Sequence, residues 1–462
     1  MMRILNISYL LFLLLTTICQ TSAAATYYVD QQNILALDSN AGSEALPWKT
    51  IQKAADTLQA GDTVFVKQGT YTELTPGFPE SDMKGIKVKN SGTSGHFITF
   101  SNYPDHSPVI DQQSSGVGFI ISGKNFIRVA GFEIKNIKGA TDKSAGIVTT
   151  GGCNHIIVEN NYIHDIDGTA GSNVAGIRFD STVNAIARNN RVHTVRVNGA
   201  LNANASGLTG FSMSDIIVEN NEFYDAYHGV YHKQSTGNIG LLVKKNRIHD
   251  VVTGLWYDVA GTGDPIHVNQ RVTQNIIYNT DNAIWLEASE GDVSDMNDTF
   301  LVWNNTLVPK QNGIWTRNTQ KISLYNNIIV GPLTKDTLRF RLPTQIDEIN
   351  YNLYFGTNRF VLNLFAANQQ TYTSLSQWRS SEGYDLNSLI DDPEFVDSAN
   401  HDYHLLASSP ARMSGKNAMN MGAYINDSDV IGLLSNPLGP QPNNDVCTPI
   451  KGTNGKIALV CL

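Results

Sequence analysis

The sequence predicts an all-β fold, a right-handed parallel β-helix with an N-terminal capping helix. Two series of residues carry this prediction. Glycines that open successive units form the first series, with one alanine in an equivalent place: Gly146, Gly176, Gly207, Gly229, Gly254, Ala283 and Gly313. Asparagines that follow them form the second: Asn161, Asn190, Asn221, Asn246, Asn275, Asn305 and Asn327. Both series advance by 22 to 31 residues, which is the length of one coil of a β-solenoid.

Elementary sheet geometry explains such a repeat. Three short strands per coil stack in register on the preceding coil, about 4.8 Å away, so each interior apolar residue meets its counterpart. Asparagine at a fixed turn tolerates the left-handed backbone conformation, and its amide can bond to the next coil. A leucine-rich repeat would need a regular leucine spacing that is missing here, and a propeller would need longer units.

The two ends of the chain differ from the repeat. Residues 1–24 have the charged start, the apolar run and the small residues of a secretory signal peptide. Apolar residues at helical spacing over 48–58, stopped by Gly61, predict the helix that caps the solenoid. The predicted divisions are a signal peptide at 1–24, a cap and first coil at 25–83, β-helix coils at 84–349, irregular C-terminal coils or a cap at 350–435, and a linker with a small tail at 436–462.

Cysteine use and charge indicate an exported protein. Cys447 and Cys461 bracket a short polar loop, which suits a disulfide in an oxidising compartment, whereas Cys153 is expected to be a buried free thiol. The formal charge of −9 gives no electrostatic footprint for nucleic acid. We therefore expect a secreted or periplasmic protein that is not membrane-bound in its mature form, and we also expect it to be a monomer.

Alignment of the units on their opening glycine gives two columns that face outward, since side chains alternate along a strand. The second position after the glycine holds Val148, Arg178, Thr209, Tyr231, Trp256, Trp285 and Trp315. The fourth position holds Thr150, Asp180, Phe211, Lys233, Asp258, Glu287 and Arg317.

The aromatic part of the second column predicts carbohydrate binding. Flat aromatic faces match the apolar faces of pyranose rings, and outward aromatics are otherwise costly on a soluble protein. Burial beneath a long loop or a partner is the alternative. We therefore expect a polysaccharide or oligosaccharide as the partner, and the predicted substrate-binding residues are Tyr231, Trp256, Trp285, Trp315, Arg178 and Asp180.

Asp258 and Glu287 form an acid pair on adjacent coils. Neighbouring coils place such side chains about 5 Å apart, the separation of the two carboxyl groups in a retaining glycosidase. Crowding should raise the pKa of one of them, which gives an acid and a nucleophile at neutral pH. The alternative is a surface ladder of ion pairs that runs from Lys233 through both acids to Arg317.

The strands at 254–258 (Gly-Leu-Trp-Tyr-Asp) and 283–287 (Ala-Ile-Trp-Leu-Glu) resemble a paired signature of β-helix glycosidases, which is similar to that of the retaining β-xylosidases of glycoside hydrolase family 120. The resemblance implies that Asp258 is the nucleophile and Glu287 the acid/base. The N-terminal phrase around 26–29 also resembles the start of many bacterial β-helix proteins that act on polysaccharides.

Two other functions remain open at this point. A polysaccharide lyase would cleave uronic-acid polymers by β-elimination, with Lys233 as base and Arg317 or Arg178 neutralising the carboxylate. A non-catalytic carbohydrate-binding protein would need only the aromatic residues. No cofactor is expected except calcium, for which residues 290–298 are acidic but lack the spaced ligands of a known calcium loop. The column His164, His193, Tyr224, His249 and Tyr278 is expected to be a stacked turn column rather than a metal site.

Overall fold

The computed structural model describes residues 24–74, 76–78, 81–113, 116–139, 144–169, 171–233, 238–258, 267–287, 300–317, 321–331, 333–341, 346–356, 358–433, 447–451 and 457–461. The signal-peptide prediction, most of the 436–462 tail and the acidic segment 290–298 lie largely or wholly outside these ranges. In the part of the chain that is described, no helix is long and apolar enough to cross a bilayer.

Three long sheets wind around a common axis and confirm the parallel β-helix. The first sheet runs through Thr26–Val29, Thr63–Val66, Ile98–Asn102, Asn125–Ala130, Cys153–Glu159, Thr182–Arg188, Ile217–Glu219, Leu242–Lys244, Gln270–Thr273, Phe300–Trp303, Ile322–Tyr325 and Ile346–Asn350. The second runs through Thr70–Tyr71, Val109–Asp111, Glu133–Lys135, Tyr162–Gly168, Arg191–Val197, Glu222–Tyr224, Arg247–His249, Ile276–Tyr278, Thr306–Val308, Ile328–Gly331, Leu353–Gly356 and Leu389–Ile390, with Ile137–Lys138 beside Tyr162–Gly168.

The third sheet carries both predicted columns. It runs through Ile86–Val88, Phe119–Ser122, Ala145–Thr150, Val174–Asp180, Ala205–Phe211, His228–Lys233, Thr253–Asp258, Asn282–Glu287, Asn312–Arg317, Leu338–Arg341, Phe360–Leu364 and Gln370–Tyr372. All of its pairings are parallel except the last. Short two-stranded pairs complete the strands: Pro76–Phe78 with Ser81–Lys84, Asn238–Ile239 with His267–Val268, Phe395–Asp397 with Asp402–Leu405, and Cys447–Lys451 with Ile457–Cys461.

One apolar core fills the solenoid along its length. In the third sheet the first and third positions of each unit point inward, so that Leu255, Tyr257, Ile284 and Leu286 are fully buried. The opening glycines allow this close packing. A Cβ on Gly254 would lie 2.5 Å from the Ala283 carbonyl oxygen of the next coil and 2.6 Å from Ile277 Cγ2.

The predicted asparagines form a continuous buried ladder. In each coil the side-chain oxygen accepts from the backbone N–H and the amide of the preceding asparagine, as Asn275 does for Asn246 at 3.0 and 2.9 Å. The left-handed conformation, however, belongs to the residue before each ladder position, for example Asn160 and Gln274. The prediction of hydrogen bonding between coils is confirmed. The assignment of the left-handed conformation to the ladder asparagines themselves is wrong.

Helices close both ends of the core. The predicted capping helix spans Ile51–Thr57, begins at the N-cap Thr50, and buries Trp48 and Ile51 against the first coils. A second helix, Leu375–Glu382, inserts Trp378 at the other end, where its ring stacks on Phe360. The sequence predicted a C-terminal cap there without predicting a helix.

The segment after Phe395 turns back along the outer face of the second sheet. Gly422 N–H donates to Asn326, and farther back the Lys245 ammonium pairs with Asp429 at 2.9 Å. Short 3-10 turns at Ser398–Asn400 and Lys416–Ala418 interrupt this segment. His401 stacks on Tyr278 and so extends the histidine and tyrosine column, which is stacked as predicted: His164, His193, Tyr224, His249 and Tyr278.

The cysteines lie where the sequence analysis expected them. Cys153 is a buried free thiol, and burial raises its pKa. Cys447 and Cys461 are direct cross-strand partners in the C-terminal hairpin. Their side chains lie outside the description, so the disulfide remains a prediction.

Candidate active site

The candidate site lies on the outer face of the third sheet, where five consecutive strands place side chains in register. The second column continues from Tyr231 through Trp256, Trp285 and Trp315 to Arg339, and the fourth from Lys233 through Asp258, Glu287 and Arg317 to Arg341. Parallel in-register pairing is the cause, because each outward residue lies directly above its counterpart in the coil before.

The aromatic rings of the second column stack on one another. Ring centroids are 4.9 Å apart between Tyr231 and Trp256, 4.7 Å between Trp256 and Trp285, and 3.9 Å between Trp285 and Trp315, with interplanar angles of 15 to 18°. The guanidinium of Arg339 covers the end of the stack, 4.6 Å from the Trp315 ring. The flat faces that the sequence analysis assigned to sugar stacking are therefore covered by neighbouring side chains. A sugar would meet ring edges here, and substrate binding by these residues remains a prediction.

The acid pair is asymmetric. Asp258 is half-buried, and one of its carboxylate oxygens accepts a hydrogen bond of 2.8 Å from the Tyr231 hydroxyl. Glu287 is only 5% exposed. Burial raises the pKa of Glu287, and the negative charge of Asp258 raises it further. The two carboxyl groups thus lie in different environments, and burial beside the charge of Asp258 raises the pKa of Glu287.

Two kinds of neighbour oppose the rise in the pKa of Glu287. The positive charge of Arg317, whose Nη1 lies 3.7 Å from Glu287 Oε1, lowers this pKa, as do the nearby indole N–H groups of Trp285 and Trp256. These two indole nitrogens, and that of Trp315, are buried, and among the described residues none meets an acceptor at hydrogen-bonding geometry. The aromatic column therefore presents a row of N–H donors beside the Glu287 carboxyl group.

Arg178 and Asp180 do not join the acid pair. They lie three coils before Asp258, or about 15 Å along the axis at the strand spacing. Arg178 Nε lies 3.0 Å from both Asp180 oxygens, and its guanidinium covers the Phe211 ring at 4.7 Å. Both are largely buried. At this distance Arg178 cannot act at the same bond as Asp258, so its predicted role is limited to a distant part of a long substrate.

Lys233 is the register partner of Asp258, but its side chain lies outside the description. So do four segments that follow the site strands, at 234–237, 259–266, 288–299 and 318–320. Within the ranges that are described, no group of three or more His, Cys, Asp or Glu could hold a metal ion. The calcium expectation rested on 290–298, and it stays a prediction.

Alignment on the opening glycine missed two arginines. Arg339 and Arg341 extend the two columns by one coil, but this coil has Thr337 where a glycine would stand. Thr337 is buried at the register position of Gly313, and the Gly313 N–H donates to the carbonyl oxygen of Asp336, the residue before Thr337. The signal that could have found the coil is the alternation of Leu338 and Phe340 inward with Arg339 and Arg341 outward.

Comparison with known proteins supports the fold. A family model described as "Pel9A-like, right handed beta helix region" matches residues 27–227. The Bacillus subtilis (strain 168) protein YwoF, itself uncharacterised, is 26% identical over 447 aligned residues, which cover 81% of this chain and 90% of that protein.

Two solved structures resemble the chain along most of its length. The complex of XylC with xylose is 15% identical, with a TM-score of 0.50, over 74% of this chain and 87% of that one. Pectate lyase Pel9A is 14% identical, with a TM-score of 0.52, over 87% of this chain and 96% of that one. These likenesses show the right-handed parallel β-helix. The family match ends at residue 227, and the strands of the candidate site begin at His228.

Proposed function

We propose that this right-handed parallel β-helix protein is a retaining glycoside hydrolase, with Asp258 as the nucleophile and Glu287 as the acid/base. One observation carries the proposal. The two carboxyl groups occupy adjacent coils in different environments, which raise the pKa of Glu287 through burial and through the charge of Asp258. A retaining mechanism needs one group that donates a proton and a second that attacks.

The proposed reaction has two steps. Glu287 donates its proton to the glycosidic oxygen as the bond from that oxygen to the anomeric carbon breaks, and the electron pair leaves with the oxygen. Asp258 attacks the same carbon and forms an ester. In the second step Glu287 takes a proton from water, the water oxygen attacks the anomeric carbon, and Asp258 leaves as a carboxylate. No cofactor takes part in this scheme.

The neighbours of the pair fit these roles. The Tyr231 hydroxyl holds one oxygen of Asp258 at 2.8 Å, which leaves the other oxygen for attack. Arg317, 3.7 Å from Glu287, favours the ionised form of Glu287 that the first step produces. The nearby indole N–H groups of Trp285 and Trp256 act in the same direction.

The similar structures bear on the substrate class and leave the reaction type open. XylC is seen with xylose, and Pel9A is a pectate lyase, so a carbohydrate substrate fits both. The likeness to Pel9A keeps β-elimination as the second candidate, with Lys233 as base. Because residues 1–24 resemble a secretory signal peptide, we also propose that the enzyme acts outside the cytoplasm.

A panel of plant and algal polysaccharides would test the proposal, with two readouts. Hydrolysis creates new reducing ends alone, whereas β-elimination also creates an unsaturated product that absorbs ultraviolet light. We expect reducing ends without ultraviolet absorbance, and NMR should show that the released sugar keeps its anomeric configuration.

Variants assign the roles. Asp258→Ala and Glu287→Gln should each abolish hydrolysis, and azide should restore turnover to Asp258→Ala because it can replace the missing nucleophile. Lys233→Met should be mild. Glu219→Gln is the matched control, since this glutamate pairs with Lys244 on the first sheet. If Lys233→Met alone were inactive and the product absorbed ultraviolet light, the lyase would replace the hydrolase. If no polymer gave either signal, a binding protein would be the better description.

A further inference from the structure

The tryptophan stack of the second column ends on a cation. The rings of Trp256, Trp285 and Trp315 are nearly parallel, with centroids 4.7 and 3.9 Å apart. Aromatic faces carry like partial charge, so direct face-to-face stacking is less favourable than an offset or tilted arrangement. The Arg339 guanidinium covers the last ring, 4.6 Å from its centre, and a cation is attracted to an aromatic face. Arg339 therefore helps to hold the stack together.

A buried carboxylate sets the position of this guanidinium. Asp336 is 2% exposed, and its Oδ2 lies 3.3 Å from Arg339 Nε. Its other oxygen pairs with Arg359 Nη1 at 2.6 Å. Because each oxygen faces a different guanidinium and water has little access, the carboxylate cannot turn without leaving a buried charge unpaired, which is costly.

The backbone of Asp336 is fixed to the strand that carries Trp315. Its N–H donates to the Asn312 side-chain oxygen at 3.3 Å, and its carbonyl oxygen accepts from the Gly313 N–H at 2.9 Å. The Asn312 amide in turn donates at 2.6 Å to the side-chain oxygen of Asn282, on the strand before. Hydrogen bonds thus connect the coil of Asp336 to the strands of the two tryptophans that lie nearest to Arg339.

Glu287 lies beside the same stack. The indole N–H groups of Trp285 and Trp256 lower its pKa, whereas burial and the charge of Asp258 raise it. Arg317 faces Glu287 from the next coil, with Nη1 3.7 Å from Oε1, and also lowers this pKa. If the rings slid apart, the indole N–H groups would move away from Glu287 and their effect on its pKa would be lost.

We propose that Asp336 and Arg339 are positioning residues for Glu287. The carboxylate fixes the guanidinium, the guanidinium holds the tryptophan stack, and the stack keeps its indole N–H groups beside Glu287. This inference rests on the proposed function, in which Glu287 is the acid/base. Arg339 lies two coils after Glu287, about 10 Å along the axis at the strand spacing, so it acts through the stack and not by contact.

Two substitutions separate positioning from a direct effect of charge. Arg339→Met removes a positive charge, and Asp336→Asn removes a negative one. A direct effect would raise the pKa of Glu287 in the first variant and lower it in the second. Release of the stack withdraws the indole N–H groups in both variants. We therefore expect the pKa of Glu287 to rise in both, by about half a unit or more.

The pKa of Glu287 can be measured in the full-length protein without a substrate. Protein labelled with carbon-13 in its glutamate carboxyl groups is titrated by NMR, and the signal missing from Glu287→Gln identifies the residue. In an active enzyme, the alkaline limb of the kcat/KM pH profile should move in the same direction as this pKa.

Circular dichroism in the ultraviolet reports on the stack itself, because closely stacked indoles give a coupled signal. This signal is assigned by its loss in Trp285→Phe, and it should weaken in Arg339→Met and in Asp336→Asn. Arg339→Lys keeps the charge without the planar guanidinium, so it should recover part of the signal. The control Lys335→Gln removes an exposed cation beside Asp336 and should change neither the dichroism nor the pKa of Glu287.

Thermal unfolding identifies the variants that fold. If Asp336→Asn does not fold, Arg339→Lys decides between the two explanations. A direct effect of charge leaves the pKa of Glu287 at its native value in Arg339→Lys, whereas positioning by the planar guanidinium shifts it part of the way towards the value in Arg339→Met.

The outcomes separate this proposal from the hydrolase. A lower pKa of Glu287 in folded Asp336→Asn, a native pKa in Arg339→Lys, or unchanged dichroism in Arg339→Met would each overturn the positioning role. If the pKa and the dichroism respond as expected but the unmodified enzyme hydrolyses no glycan, the positioning role stands and the hydrolase fails. If glycans are hydrolysed and the pKa of Glu287 is unchanged in the variants, the hydrolase stands and the positioning role fails.

Discussion

Replacement of one ladder asparagine should destabilise the solenoid strongly. In Asn275→Ala the side-chain oxygen that accepts from the Asn246 N–H and from the Asn246 amide at 3.0 and 2.9 Å is lost, as is the donor to the Val243 carbonyl oxygen at 2.9 Å. The ladder positions are fully buried. Water therefore cannot replace the missing partners without opening the coil.

The expected loss follows from the groups left unpaired. The Asn246 backbone N–H loses its acceptor, whereas the Asn246 amide keeps the Val218 and Lys244 carbonyl oxygens. A buried polar group without a partner costs about 1–3 kcal/mol, so the expected loss in the free energy of unfolding is of this size. Asn275→Asp should be worse at neutral pH. In the native chain Val243 O and Asn305 Oδ1 accept from the Asn275 amide at 2.9 and 3.0 Å. The aspartate places a second oxygen opposite these two acceptors and buries a charge.

Equilibrium unfolding in urea, followed by tryptophan fluorescence and circular dichroism, measures the effect. Hydrogen exchange of the Asn246 and Asn275 amides shows whether the loss is confined to neighbouring coils, as expected for a solenoid whose repeats contact only their neighbours. Asn368→Ala, at an exposed turn, is the matched control. If Asn275→Ala were as stable as this control, the inference that the ladder bonds stabilise the fold would be refuted.

Two further predictions concern the acid pair. Arg317→Gln removes a charge that lowers the pKa of Glu287. Because Glu287 must be protonated to act as acid, the alkaline limb of the kcat/KM pH profile should move to higher pH. An alkaline limb that stays in place or moves to lower pH would contradict the assignment of Glu287 as acid. Tyr231→Phe removes the hydrogen bond to Asp258 and should lower kcat/KM about ten-fold, since hydrogen bonds to charged groups contribute about 1.5–3 kcal/mol. A folded Tyr231→Phe enzyme with full activity would exclude Asp258 as the positioned nucleophile.

The fold could be predicted because its cause is repeated in the sequence. Each coil needs a residue without a large side chain where Gly254 and Ala283 stand, and an asparagine where the ladder runs. The same residue types therefore recur in the sequence once per coil. The left-handed residue before each ladder asparagine was misplaced by one position. At that position five of the seven coils also have asparagine, whereas the other two have Lys245 and Gln274, so the asparagine pattern is fully regular only at the neighbouring ladder position.

The site could be predicted only in part, because register fixes which residues are neighbours but not how their side chains are oriented. In-register stacking brings the column tryptophans together, as the alignment indicated. The same stacking covers their faces, with 3.9 Å between the Trp285 and Trp315 rings. Outward position and exposure are therefore different properties in a solenoid, and a row of identical aromatics is the case in which they differ most.

The difference between Asp258 and Glu287 has the same origin. Both follow a column tryptophan by two residues and occupy the same position in successive coils, so a sequence pattern treats them as equivalent. Their environments differ through what lies on either side. Asp258 has Tyr231 in the preceding coil to bond with, whereas Glu287 has tryptophans before and beside it and the arginine column after it. The coil before Asp258 thus supplies the hydroxyl of Tyr231, whereas the coils at and after Glu287 supply tryptophans and arginines. We infer that burial beside the charge of Asp258, which raises the pKa of Glu287 against the opposing effect of Arg317 and the indole N–H groups, distinguishes the two acids.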